Sequence, residues 1–145
     1  MTVALIDDQL LGQVLRGRIP RPLAAKDLFT TGHWYVRLCQ AVLRSDDRTG
    51  VLSRPFADLS PELRERARNA VLELPSEIGL MSLRELAPRI AALRERHHLN
   101  ILGIEALAAA TQLGAKVYLS APSPLLEVAI RHEHLRVAIS PRRER

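Results

Sequence analysis

The chain of 145 residues has the length of one ordinary domain, and its 47% hydrophobic and 26% charged residues are typical of a globular protein. No apolar stretch approaches the ~20 residues of a membrane helix, and the first residues lack the basic segment of a signal peptide. The single cysteine, Cys39, excludes a disulfide framework and a cysteine-based zinc site. We therefore expect a cytoplasmic protein that crosses no membrane.

The net charge of +5 is carried mainly by arginine, because only Lys26 and Lys116 among the 21 basic residues are lysines. Arginine can bind phosphate through two parallel hydrogen bonds, so the excess favours RNA or another polyanion as a partner. A coding bias towards arginine explains the same excess without any ligand. Aromatic residues make up only 3% of the chain, so a platform for stacking bases is not expected.

Short apolar runs alternate along the chain with segments of helical periodicity. Strands are predicted at 3–6, 116–119 and 135–139, with a short strand or an apolar loop at 78–81. Helices are predicted from about residue 9 to Gly17, at 33–44 after a cap by Thr30 or Thr31, at 60–74, 82–96 and 103–113, and from 123 onward. The segments 18–22 and 45–59 are interpreted as a connector and a loop, and 141–145 as a basic tail.

This alternation begins with a strand and predicts an α/β domain with a mostly parallel sheet and helices on both faces. Ligands bind such sheets at the carboxyl ends of the strands. Asp7 directly follows the first strand, where a carboxylate suits Mg²⁺, yet an aspartate there also caps the next helix. Asp8 adds a second carboxylate, so both roles can coexist. Glu105 lies either near the core or in a first helical turn, where the helix dipole favours an acid.

Other reactive residue types form no clear pattern. Neither His97-His98 nor His132-x-His134 has a clear third ligand, so a zinc site is not expected. Cys39 is interpreted as a core residue of its helix. The chain has no Gly-x-Ser-x-Gly turn for a nucleophilic serine and no glycine-rich loop for phosphate.

Three segments, in order, resemble the PIN-domain family of small α/β nucleases. That family cuts RNA with Mg²⁺ or Mn²⁺, and many members are toxins of bacterial toxin–antitoxin pairs. The matching segments are the strand, aspartate and leucines of 4–11, the acid and alanine run of 105–115, and the strand and helix start of 117–125. The resemblance implies a three-layer α/β/α fold in one PIN-like domain over 1–140, followed by the basic tail at 141–145.

The resemblance also implies roles for individual residues. Asp7 matches the family's first acid and Glu105 its third, so both are candidate catalytic residues and metal ligands, with Asp8 assisting. Ser120 takes the place of the threonine in the family's Thr-x-Asp motif, and Pro122 stands where its aspartate would be. Arg37 lies close to the expected place of the second acid. The second and fourth acids of the family are therefore missing.

Two functions from different classes follow. The first is a divalent-metal-dependent endoribonuclease with an incomplete acidic site, which would bind Mg²⁺ or Mn²⁺ weakly. The alternative is a catalytically inactive PIN-like module that binds nucleic acid or protein, with arginines such as Arg64 and Arg68 at its surface. Those two arginines also fit a solvated helix face with local ion pairs. The candidate partners are RNA, a small antitoxin-like protein and a second copy of the chain.

A third interpretation is a small α/β regulator that resembles response receivers. The paired acids Asp7 and Asp8 after the first strand are shared with that class. The acceptor aspartate expected at the end of a central strand is not visible in this sequence.

Overall fold

The computed structural model describes residues 2–44 and 50–140. The predicted tail at 141–145 and residues 45–49 of the predicted loop lie outside the described residues. Five strands form one parallel sheet in the order β3-β2-β1-β4-β5. These strands are β1 (Val3–Ile6), β2 (Asp27–Thr31), β3 (Gly79–Met81), β4 (Lys116–Leu119) and β5 (Val137–Ile139). The chain first extends the sheet to one side of β1 and then to the other side.

The described residues form seven α-helices, which cover both faces of the sheet. They are α1 (Asp8–Leu15), α2 (Gly32–Leu43), α3 (Arg54–Ala57), α4 (Pro61–Leu72), α5 (Leu83–Leu93), α6 (Ile101–Leu113) and α7 (Pro124–His132). None of them is both long enough and apolar enough to cross a bilayer. The predicted three-layer α/β/α architecture is confirmed.

Side chains along β1 point alternately to the two faces of the sheet, and each face has its own hydrophobic core. Ala4 and Ile6 point to the face covered by α1 to α4, where they pack near Leu38. Leu5 points to the other face and packs near Ile104 in the core that α5 to α7 complete. Successive side chains of a strand point to opposite faces, so a fully apolar strand is buried on both sides. This explains why the run at 3–6 lacks polar residues.

Local capping sets the helix boundaries. The Thr31 side chain accepts a hydrogen bond from the Trp34 N–H (3.3 Å) and begins α2 directly after β2. The Asn100 side chain accepts one from the Gly103 N–H (2.8 Å) and begins α6. Gly114 ends α6 with φ at +62°, a conformation that glycine adopts without strain. Thr31 is therefore both the last residue of β2 and the cap of α2, so no loop separates these two elements.

Two predictions about the fold are wrong, and one strand was missed. Strand β2 was not predicted, because polar Asp27 and the threonines at its end resemble a helix start. The predicted loop at 45–59 contains α3, which forms because the Phe56 side chain is buried in the core. Cys39 is half-buried at the edge of a core rather than inside it. The segment at 78–81 does include a strand, β3.

Candidate functional site

Asp7 lies where the strand order reverses, directly after β1 and beside the end of β4. Its Oδ1 accepts a hydrogen bond from the Leu10 N–H (3.0 Å) and so caps α1. Its Oδ2 accepts hydrogen bonds from the Ser120 N–H (2.8 Å) and the Ser120 hydroxyl (2.7 Å). Burial raises the pKa of Asp7, while the hydrogen bonds from Ser120 and Leu10 oppose that rise. The carboxylate therefore joins the carboxyl ends of two neighbouring strands.

Asp8 is buried next to Asp7 at the first position of α1. Its Oδ1 accepts a hydrogen bond from the Gln9 N–H (2.8 Å). Its Oδ2 lies 3.5 Å from Arg37 Nε, which is too long for a strong hydrogen bond. This buried oxygen has no hydrogen-bond donor in the part of the chain that the structure describes. Burial and the charge of Asp7 raise the pKa of Asp8 to about 6, and the positive charge of Arg37 only partly opposes this rise.

Glu105 lies in the second turn of α6 and is completely buried, which excludes the first-turn interpretation. Its Oε1 accepts a hydrogen bond from the His33 N–H (3.0 Å) and lies 2.8 Å from His33 Nδ1. Its Oε2 is buried without a hydrogen-bond partner among the described residues. The absence of a side chain at Gly32 leaves space beside this oxygen, because a Cβ there would lie 3.4 Å away. The amino end of α2 stabilises the negative charge of Glu105.

Helix α2 supplies the basic partners of both Asp8 and Glu105. His33 and Arg37 are one helical turn apart and therefore lie on the same face of α2. His33 contacts Glu105, and Arg37 contacts Asp8. We call the group of Asp7, Asp8, Glu105, Ser120, His33 and Arg37 the sheet-edge site. Sequence reasoning missed His33, although its spacing of four residues from Arg37 was a usable signal.

The three acidic side chains of the sheet-edge site are farther apart than the ligands of a compact metal cluster. Within residues 2–44 and 50–140, one group of three His, Cys, Asp or Glu side chains has its ligand atoms within 4.8 Å of one another. It consists of His97, His132 and Glu133. Asp7, Asp8 and Glu105 do not meet that distance as a group. The structure brings Asp7, Asp8 and Ser120 together directly, and α2 connects Glu105 to them. The sequence did not show that Glu133 lies beside His97 and His132, so these two histidines do have a carboxylate neighbour.

The donor set of the sheet-edge site fits a hard divalent cation. Buried carboxylate oxygens without partners are rare, and a water or an ion commonly explains them. Asp8 Oδ2 and Glu105 Oε2 are two such oxygens. Mg²⁺ is commonly held by one or two carboxylates and several waters, so the three acids need not all converge on it. Arg37 and His33 weaken this fit, because each already contacts one of the carboxylates.

No model of a known protein family matches the chain, and no curated protein matches it. The resemblance to PIN domains therefore stays a prediction from the sequence.

Proposed function

We propose that the protein is a PIN-like, divalent-metal-dependent ribonuclease whose acidic site is incomplete. The observation that carries this proposal is a pair of buried oxygens without partners among the described residues: Asp8 Oδ2, in the residue next to Asp7, and Glu105 Oε2, in the side chain that contacts His33 at the start of α2. They belong to the carboxyl edge of a parallel sheet, where strand order reverses and where ligands of such sheets bind. Unpartnered oxygens at this edge support a cation site better than a purely structural role.

Each residue of the sheet-edge site has a distinct part in this proposal. Bound Mg²⁺ or Mn²⁺ supplies Lewis-acid chemistry for hydrolysis of a phosphodiester. Asp7 and Glu105 would hold the ion, with Asp8 beside Asp7. Ser120 fixes the orientation of the Asp7 carboxylate through its two hydrogen bonds. Arg37 is half-exposed and presents positive charge to an RNA phosphate.

The metal affinity of this site is expected to be low in the absence of RNA. The carboxylates of Asp7, Asp8 and Glu105 already accept hydrogen bonds from the protein, and Arg37 repels a cation. Phosphate oxygens of a bound RNA would add ligands and negative charge. We therefore expect RNA and metal to strengthen each other's binding.

A second candidate function is the catalytically inactive module that binds nucleic acid. The contacts of His33 with Glu105 and of Arg37 with Asp8 favour it, because they occupy acids that a nuclease needs. Arg64 is less available for RNA binding than its position in the sequence indicates. Its guanidinium donates to the carbonyls of Ala57 (3.2 Å) and Leu59 (3.4 Å). This candidate predicts RNA binding that weakens with salt but no cleavage.

The resemblance also carries the remaining parts of the proposal. A small antitoxin-like protein and a second copy of the chain are its candidate protein partners, and the cytoplasm is its candidate compartment. Copurification of a small acidic protein with the chain would support the first of these partners.

Cleavage of labelled single-stranded RNA in the presence of Mn²⁺ tests the proposal. Asp7→Asn keeps a good helix cap but removes the charge of the ligand. Asp27→Asn makes the same change at the opposite, amino end of β2, where the side chain is exposed. We expect cleavage by the wild type and by Asp27→Asn, and a loss of at least roughly 100-fold in Asp7→Asn.

Undiminished cleavage by Asp7→Asn would rule out this mechanism. Salt-dependent RNA binding by a wild type that never cleaves would establish the second candidate instead. The midpoint of thermal unfolding of each variant shows whether a lost activity reflects a lost fold.

A further inference from the structure

A second group of metal-binding residue types lies at the ends of α5 and α7. His97 follows α5, His132 is the last residue of α7, and Glu133 is its C-cap. Helix α7 leaves the carboxyl end of β4 and leads back towards the start of β5, so its last residues lie away from Asp7. We call His97, His132 and Glu133 the α5–α7 cluster. The proposed ribonuclease function does not use it.

The three side chains converge on one carboxylate oxygen. Glu133 Oε2 lies 2.6 Å from His97 Nε2 and 3.7 Å from His132 Nδ1. The two imidazole rings meet edge to face, with their centroids 5.3 Å apart. The side chains of His97 and Glu133 are largely buried, whereas that of His132 is 65% exposed. The cluster therefore has a buried floor and one side open to solvent.

We propose that His97, His132 and Glu133 bind a divalent transition-metal ion of the zinc class. Two imidazole nitrogens and one carboxylate oxygen are a donor set that suits zinc, and Mg²⁺ prefers oxygen ligands alone. Bond lengths of ~2.0–2.1 Å in a tetrahedral site place neighbouring ligand atoms about 3.4 Å apart. The observed separations of 2.6 and 3.7 Å bracket this value. A small rotation of the side chains admits the ion, and water completes the set from the open side.

Arg96 is the group that competes with a metal for Glu133. Its Nε donates to Oε2 (2.9 Å) and its Nη2 to Oε1 (3.1 Å). The Arg96 side chain is half-exposed, so it can turn into solvent when a cation replaces it. Removal of the Arg96 charge should therefore strengthen zinc binding rather than weaken it.

A bound ion would hold the end of α5 against the end of α7. These ends are already joined through Glu133, and the ion adds a stronger and more directional contact. Because the site forms only in the folded chain, zinc should stabilise that state by mass action.

Calorimetric titration of the purified full chain with Zn²⁺, in the absence of RNA, tests the proposal. His132→Ala removes an exposed ligand and should leave the fold intact. His98→Ala is the matched control, because His98 is an exposed neighbour outside the cluster. We expect one zinc ion per chain in the wild type and in His98→Ala, and an affinity at least roughly 10-fold lower in His132→Ala. Arg96→Gln should bind zinc several-fold more tightly.

The midpoint of thermal unfolding gives an independent readout. We expect zinc to raise this midpoint in the wild type and in His98→Ala, but not in His132→Ala. A wild type that binds no zinc would overturn the proposal. Equal affinities for His132→Ala and His98→Ala would also overturn it. A loss of zinc binding in Asp7→Asn alone would assign the ion to the sheet-edge site and reject the α5–α7 cluster.

Discussion

Asp8 in the sheet-edge site and Glu133 in the α5–α7 cluster carry the same chemical group, but their surroundings shift its pKa in opposite directions. Burial and the neighbouring charge of Asp7 raise the pKa of Asp8 to about 6. Hydrogen bonds from Arg96 and then His97 lower the pKa of Glu133 to about 2. Burial penalises an ionised carboxylate, whereas donors and positive charges stabilise it. Arg37, 3.5 Å from Asp8, therefore compensates the charge of that carboxylate less than Arg96 compensates the charge of Glu133 at 2.9 Å.

This contrast predicts which ion each region prefers. The sheet-edge site presents carboxylate oxygens without enough donors, so a hard cation relieves an existing electrostatic cost. The α5–α7 cluster must first release Arg96 from Glu133, so only an ion with high affinity for imidazole should bind there. Buried carboxylates with too few donors, as in the sheet-edge site, are common at functional sites and reduce the stability of the fold.

The largest expected effect comes from Glu105→Gln. Glutamine keeps an acceptor for the His33 N–H, so the end of α2 retains its hydrogen bond while the negative charge is lost. We expect the rate of Mn²⁺-dependent RNA cleavage to fall by at least roughly 100-fold with only a small change in the free energy of unfolding. Glu62→Gln, an exposed change on α4, is the control. Unchanged cleavage together with a large loss of stability would make Glu105 a structural residue only.

Asp8→Asn should stabilise the metal-free protein. The pKa of Asp8 is raised from 3.8 to about 6 in the folded state, so between these values the folded chain binds more protons than the unfolded chain. The stability of the wild type therefore falls as pH rises through this window and stays low above it. At pH 7 we expect Asp8→Asn to increase the free energy of unfolding by about 1–2 kcal/mol. This is less than the free energy that corresponds to the whole pKa shift, because the contact with Arg37 is lost.

Urea unfolding from pH 4 to 7 in the presence of a chelator measures this difference. The slope contributed by Asp8 should disappear in Asp8→Asn, while the contribution of Asp7 remains. Asp27→Asn is the control for loss of a carboxylate at an exposed position. A destabilised Asp8→Asn variant at pH 7 would show that the contact with Arg37 outweighs the cost of burial.

The smallest expected effect is that of Arg37→Gln. This change removes the cation that faces Asp8, so Mn²⁺ should bind several-fold more tightly. RNA should bind a few-fold more weakly and with a shallower dependence on salt, because one phosphate contact is lost. Calorimetry measures the first effect and fluorescence anisotropy the second. Weaker Mn²⁺ binding together with tighter RNA binding by Arg37→Gln would contradict this role of Arg37.

The sequence predicted the parts of the fold that depend on local patterns. The apolar run of β1, the helix stop at Gly114 and the alanine-rich face of α6 each follow from neighbouring residues. Asp7 was placed at the sheet edge because it directly follows the first strand, and in the structure it meets Ser120, 113 residues away. Strand β2 was missed because its terminal threonines also satisfy the rules for a helix cap.

Pairings between distant helices were not predictable in this way. His33 meets Glu105 across 72 residues, and His97 meets Glu133 across 36 residues. Both pairs depend on how helices pack against each other, which single-residue spacing does not encode. The same limit explains why Glu133 was overlooked as a neighbour of the two histidines.

Calorimetric titration with Mn²⁺ is the most direct test of the sheet-edge site. The wild type, Asp7→Asn and the Asp27→Asn control would each be titrated alone and then with a short single-stranded RNA present. We expect the wild type and the control to bind Mn²⁺ weakly alone and more tightly with RNA, and Asp7→Asn to bind none in either condition. Undiminished binding in Asp7→Asn, or no binding by the wild type even with RNA, would contradict a metal-dependent role for this edge of the sheet.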